Sequence, residues 1–182
     1  TGFFSDSGQL LGSTDAFVKL ADLDNDGDVD VFVACYLDRQ NRVWLNDGLA
    51  NFTDTGQLLG NNISHGVDLA DIDNDGDIDA VVANILGVSA RLWLNNGQGV
   101  FTDGGTLPQS NFNSHGIATG DVNNDSYADV LISSRNSGGQ NTLLINLGDG
   151  TFSPSNENLV SAVSGFSSLI DIDGDNDLDA WI

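Results

Sequence analysis

Aspartate recurs at alternate positions in four short stretches of this chain: DLDNDGDVD from Asp22, DIDNDGDID from Asp71, DVNNDSYAD from Asp121 and DIDGDNDLD from Asp171. Such a turn offers carboxylate and carbonyl oxygens, with no nitrogen or sulfur, which is the donor set of a hard cation taking about six to eight oxygens. Side-chain ligands fall at positions 1, 3, 5 and 9, and position 7 can give its backbone carbonyl. The candidates are Asp22, Asp24, Asp26, Asp28 and Asp30 in loop one, and Asp71, Asp73, Asp75, Asp77 and Asp79 in loop two. Loop three supplies Asp121, Asn123, Asp125, Tyr127 and Asp129, and loop four Asp171, Asp173, Asp175, Asp177 and Asp179. Gly27 and Gly76 stand at position 6, where the chain must turn sharply, and Ser126 and Asn176 take that place in the other two loops. The pattern predicts Ca²⁺, up to four ions, one per loop. Mg²⁺ prefers retained waters to an all-protein cage, and Zn²⁺ would want the Cys or His that the loops lack. Loop three has one carboxylate fewer and no glycine, so weaker binding is expected there.

An EF-hand begins with the same run, but needs a bidentate Glu at position 12 between two helices. Position 12 here is Val33, Val82, Ile132 or Ile182, each apolar and β-branched. The loops are therefore expected to join strand to strand. The elements around them repeat as well. The first Asp of each loop recurs at intervals of 49, 50 and 50 residues, and a second block follows the first three: Val43-Trp44-Leu45-Asn46, Leu92-Trp93-Leu94-Asn95 and Leu143-Leu144-Ile145-Asn146, with Phe52, Phe101 and Phe152 beyond. Short apolar runs bounded by Gly, Asn and Asp give four strands per repeat, in the first roughly 16–21, 30–35, 42–45 and 51–57. A period near 50 with four strands predicts an all-β fold, a β-propeller of four-stranded antiparallel blades.

The phase of the repeat divides the chain, as one propeller segment over 1–182, into approximate units 1–12, 13–61, 62–111, 112–161 and 162–182. The first unit would be a last strand alone, because 2–11 copies 51–59, and the last would hold two strands. The ring is thus expected to be completed by further sequence or by another chain, a second copy placed head to tail being one arrangement. The lack of any Met and of a signal peptide agrees with a piece of a larger secreted or cell-surface protein.

Twenty-seven acidic against five basic side chains set the formal charge at −22, a self-repulsion that bound cations would relieve. That field disfavours nucleic acid and anionic lipid as partners, and no apolar run is long enough to span a membrane. Calcium and a glycan or protein ligand are the expected partners. Cys35, inside an apolar run, reads as core, as do Trp44, Trp93 and Trp181, which interchange with aliphatics at their repeat positions. Arg42 and Arg91 are expected to neutralise neighbouring carboxylates. His65 and His115 stand at one repeat position, in Ser-His-Gly triplets six residues before their loops, with Ala16 and Gly165 as counterparts. On strands that line the propeller axis they would face its opening and could meet a ligand, although a structural imidazole is the plainer reading. With almost every carboxylate committed to the loops, no nucleophile and base pairing remains, so no catalytic role is expected.

These loops, followed by an N-x-G-x-G-x-F block at Asn95–Phe101 and Asn146–Phe152, resemble the FG-GAP or VCBS repeats of integrin-α-like propellers, over essentially the whole chain. The resemblance implies calcium in loops on one face of a ring of about seven blades, of which this chain would supply about half. It also implies a role in adhesion, glycan binding or scaffolding, or an accessory, non-catalytic place in a secreted polysaccharide-degrading enzyme.

Overall fold

The computed structural model describes residues 7–11, 15–37, 40–110, 113–135, 140–157, 159 and 164–182. The expectation of a lone last strand over 1–12 falls mostly outside them. Fourteen strands and no helix form the described chain. Blade one is β1 (Ala16–Ala21), β2 (Asp30–Cys35), β3 (Arg42–Asn46) and β4 (Phe52–Asp54), hydrogen-bonded in that order and antiparallel. Blade two repeats it with β5 (Ser64–Ala70), β6 (Asp79–Asn84), β7 (Arg91–Asn95) and β8 (Phe101–Thr106). Blade three does so with β9 (Ser114–Gly120), β10 (Asp129–Ser134), β11 (Thr142–Asn146) and β12 (Phe152–Pro154). A two-stranded sheet of β13 (Ser168–Ile170) and β14 (Asp179–Trp181) follows. The sheets stack as successive blades of an open propeller.

The second strand of each full blade is buried along its whole length. This explains why it reads as a largely apolar run: in β6 both faces are covered, one by the blade before and one by the blade after, and the outer face of β2 is covered by Leu11, Ala16, Trp44 and Phe52. Phe32 and Ala34 of β2, with Leu23 and Val43, pack on Ala80, Val82, Trp93 and Phe101 of blade two. The other face of β6 gives Val81 and Ala83, which pack with Leu92 on Ile117, Val130, Ile132 and Leu144 of blade three. Cys35 is buried, as expected of a core thiol.

Polar side chains tie blade to blade. Lys19 on β1 pairs with Asp68 on β5 at 2.8 Å, and Asp68 Oδ2 accepts from Thr119 N on β9 at 2.8 Å, so one carboxylate joins three consecutive first strands. The Gln57 amide reaches from blade one to the β7–β8 turn, donating to Gly99 O at 2.6 Å and accepting from Phe101 N at 2.8 Å. Gln9 does the same one repeat earlier, to Ala50 O and Phe52 N.

Three details differ from the sequence reading. The fourth strand of blade one ends at Asp54 because Gly56 turns to φ 75° and its N–H bonds to Asp54 Oδ1. Trp181 is 70% exposed, whereas its counterpart Phe32 is fully buried: β14 pairs β13 alone among the described residues, and no blade covers its outer face. The third concerns the histidines. In blade one Ala16 pairs with Cys35 and Phe17 with Ala34, in unbroken register. In blade two Ser64 pairs with Asn84 and Gly66 with Ala83, leaving His65 as an extra residue in a bulge. His115 is bulged in the same way between Ser114 and Gly116. By pairing, the counterpart of Ala16 is therefore Ser64.

Candidate metal centres

Each loop joins the first strand of its blade to the second. Positive φ at Asn25, Asn74 and Asn124, all 61°, and at Gly27 (93°) and Gly76 (94°) coils the chain so that alternate side chains point inward. Ser126 (73°) and Asn176 (71°) adopt the same left-handed backbone at position 6, which costs them what glycine is spared. In loop four the glycine has moved to position 4, Gly174 at 81°.

The carboxylates then divide by task. Position 1 holds the turn with one oxygen: Asp22 Oδ2 accepts from Gly27 N at 2.9 Å, Asp71 Oδ2 from Gly76 N at 3.0 Å, Asp121 Oδ2 from Ser126 N at 2.8 Å and Asp171 Oδ2 from Asn176 N at 3.1 Å. Position 5 caps position 7, as where Asp26 and Asp75 accept from Asp28 N and Asp77 N, each at 2.9 Å, and Asp125 and Asp175 do likewise for Tyr127 N and Asp177 N. Position 9 is a strut as well as an acid. Asp30, fully buried, accepts from Leu23 N and Asn46 N, both at 2.8 Å, and Asp79 accepts in the same way from Ile72 N and Asn95 N. Asp129 and Asp179 repeat the bond to position 2, from Val122 N and Ile172 N.

Positions 1, 3 and 9 converge. Asp22, Asp24 and Asp30 each place a ligand oxygen within 4.8 Å of the others, as do Asp71, Asp73 and Asp79, and Asp171, Asp173 and Asp179. That spread is about twice a Ca²⁺–O distance, so one cation can touch all three. Three of these oxygens, Asp22 Oδ1, Asp24 Oδ1 and Asp73 Oδ1, are buried and accept no hydrogen bond among the described residues. A buried, unpaired carboxylate oxygen is costly unless something positive meets it. The donor set therefore fits a hard divalent ion. In the metal-free protein, burial and then the neighbouring carboxylates raise Asp24 and Asp73 above the ordinary Asp range, and burial pushes Asp79 up to about 6. Loop three differs: Asn123 replaces the position-3 acid and its amide donates to Asp125 Oδ2 at 2.9 Å.

Position 7 turns its side chain away from the cluster. Asp28, Asp77 and Tyr127 lie against Gly48, Gly97 and Gly148 of the turn between third and fourth strands, where a Cβ would collide with them. Asp77 also accepts from Asn25 Nδ2 at 2.8 Å, a bond from loop one to loop two. Sequence reading missed these links, and it missed the asparagine that opens the N-x-G block. Asn95 Nδ2 donates to Leu23 O in loop one at 2.8 Å and to Ile78 O in its own loop at 3.1 Å. Asn146 bridges Ile72 O and Ala128 O in the same way. The recurrence of Asn in the block was the available signal. Arg42 pairs with Asp54 at 3.1 Å, and Arg91 forks onto Asp103, its Nε donating at 2.8 Å, both at distance from the clusters.

The histidines meet on the first strands. Their ring centroids lie 4.0 Å apart, Phe17 is 4.8 Å and Tyr36 5.8 Å from His65, and His65 Nδ1 is 3.2 Å from His115 O. A carbonyl only accepts, so His65 carries its proton on Nδ1. Burial, then the His65 and Arg135 charges, lowers His115 to about 4, so it is neutral at pH 7.

Fold and loops together define an open β-propeller with acidic strand-to-strand loops. The chain belongs to the FG-GAP-like repeat family, whose model matches residues 22–82 and 81–132. In structure it is similar to a lectin from Agrocybe aegerita described as recognising non-reducing terminal N-acetylglucosamine, with a TM-score of 0.58 and 20% identity over 92% of this chain and 46% of the lectin. At that identity the likeness is one of fold, and the chain spans less than half the lectin's length. No curated protein matches it in sequence.

Proposed function

We propose that this chain is a calcium-braced β-propeller module of a secreted or cell-surface protein, non-catalytic, whose ligand is a glycan or another protein. The observation that carries the metal assignment is the set of buried carboxylate oxygens in loops one and two that lack hydrogen-bond partners among the described residues while converging within reach of one ion. Asp22, Asp24 and Asp30, Asp71, Asp73 and Asp79, and Asp171, Asp173 and Asp179 would hold it, joined by position 5 and by the carbonyls of Asp28, Asp77 and Asp177. Loop three would use Asp121, Asn123, Asp125, Asp129 and the Tyr127 carbonyl, more weakly. The ion supplies positive charge to a chain of formal charge −22 and stabilises the folded state by binding it selectively. The glycan half of the reading is supported by the fold shared with a sugar-recognising lectin.

Apolar faces at both ends support a further part of the reading, that more blades pack on this segment, from its own parent chain or from a second copy. Val18, Leu20 and Val29 are exposed, whereas their copies Val67, Leu69 and Ile78 pack on blade one. Ile172 and Trp181 are exposed, whereas Leu23 and Phe32 are fully buried. A dimeric mass in solution supports the second copy, and a monomeric one rejects it.

The test of the metal reading is thermal unfolding in calcium and in excess EDTA, with native mass spectrometry to count ions. Chelation should lower Tm well beyond any ionic-strength effect, and identical curves refute the reading.

A further inference from the structure

The first strands of the blades enclose a recess of about 230 Å³ on the axial side of the sheets, lined by β1, β5, β9 and the approach to β13. Its construction follows from one repeat position. Phe17, Gly66, Gly116 and Phe166 are equivalent residues in four consecutive repeats, and all four line it. In the two middle blades glycine makes the room: a Cβ on Gly66 would sit at a tight 3.0 Å from His115 O, and one on Gly116 would collide with Ser133 Oγ and lie 2.7 Å from Ser167 N. The outer two blades carry phenyl rings instead, so an aromatic stands at each end of the row, and Phe166 is 73% exposed.

The polar groups are equally specific. His65 and His115 enter the recess from the two β-bulges, a device that re-aims a side chain and recurs beside binding sites. His65 is fixed by the bond from its Nδ1 to His115 O, which leaves Nε2 to meet a ligand. Among the described residues, His115 Nδ1 and Ser167 Oγ are buried without a hydrogen-bond partner, and both residues line the recess. Buried polar atoms are nearly always paired, so these two require a partner that brings its own donors and acceptors. The remaining charge is already used, because Lys19 is paired with Asp68.

We infer that this axial recess is a sugar site, taking one neutral pyranose whose C–H face lies on the Phe166 or Phe17 ring and whose hydroxyls meet His65, His115 and Ser167. Aromatic rings supply a large, rigid contact surface, and hydroxyls are donor and acceptor at once, which suits a neutral imidazole and a serine. Uronic and sialic acids are excluded by the strongly negative field of the chain. The inference rests on the glycan half of the proposed function and assigns it a place.

The experiment is isothermal titration of the whole calcium-saturated chain with methyl glycosides of glucose, galactose, mannose and N-acetylglucosamine, and with methyl glucuronide as the anionic control. Phe166→Ala, in an exposed side chain, should weaken binding by roughly tenfold or more, and Phe166→Tyr should restore it. Ser167→Ala, which removes a hydroxyl with no protein partner among the described residues, should weaken it without lowering Tm. If the wild type binds a neutral glycoside and all three variants bind it equally, the site lies elsewhere and this inference falls while the glycan reading stands. If no glycoside binds at millimolar concentration, both fall. Preference for the glucuronide refutes the assignment of a neutral sugar.

Discussion

Asn95→Ala isolates what links one loop to the next. The Asn95 side chain is buried and donates both amide protons, to Leu23 O of the preceding loop and to Ile78 O of its own. Removing it leaves Ile78 O without this donor, while Leu23 O keeps the Gly99 N–H at 2.9 Å. One buried carbonyl stripped of a partner costs about 1–3 kcal/mol, and loss of the second bond adds about 1 kcal/mol. The expected sum is about 2–4 kcal/mol, a fall in Tm of about 4–16 °C for a chain of this size. Asn46→Ala is the internal control. Its amide reaches Val29 O of its own loop at 3.1 Å, with no bond to a preceding loop among the described residues. It should cost about 1–2 kcal/mol. Melting both variants by circular dichroism in saturating calcium gives the difference. Calcium titration of Asn95→Ala should also show weakened binding at loop one, whose Leu23 carbonyl loses the Asn95 amide although no loop-one residue is changed. Equal costs for the two variants, or unchanged loop-one affinity, would refute the idea that the loops are mechanically joined.

Other expectations follow from the same geometry. In the EDTA-treated protein Asp79 is held up at about 6 by burial, and Asp24, Asp73 and Asp129 are raised for the same first reason. The folded state therefore binds protons that the unfolded state has released, and stability is lost as pH rises through about 6. Tm of the metal-free protein should increase on going from pH 7 to pH 5, while the increment due to calcium shrinks because its ligands must be deprotonated. A metal-free Tm that falls over this range contradicts the assignment. Gly116→Ala should destabilise by about 1–3 kcal/mol through overpacking, whereas Gly165→Ala, whose Cβ would meet nothing within 4 Å, should stay within about 0.5 kcal/mol; denaturant melts of the pair check this. Gln57→Ala, by removing the clamp on Gly99 and Phe101, should cost about 1–2 kcal/mol in the same assay, and no change would show the clamp to be ornamental.

Much of this protein is legible in its sequence because its chemistry is local. Spacing within nine residues sets the loop, the lack of a Glu at position 12 excludes an EF-hand, and a period near 50 turns the strands into blades. Residue type alone, however, treats the aspartates of a loop as equals. Asp30 and Asp22 look alike in the chain and differ in the fold: one accepts with both oxygens from the backbone N–H groups of Leu23 and Asn46, and the other keeps an oxygen with no protein partner among the described residues.

Trp181 failed as a core residue for a related reason, since burial of a blade face depends on which blade stands next to it. The histidines show the same division. Their repeat position is visible in the sequence, but the bulges that re-aim them appear when the first strand is paired against the second. The sequence by itself determined the ligand types, the turn and the repeat, because each is decided by residues close along the chain. The tertiary structure alone decided which oxygens remain free, that Asn95 joins loops 72 residues apart, and where phenyl rings and imidazoles share one recess. Those depend on partners that only the stacking of blades brings within hydrogen-bonding distance.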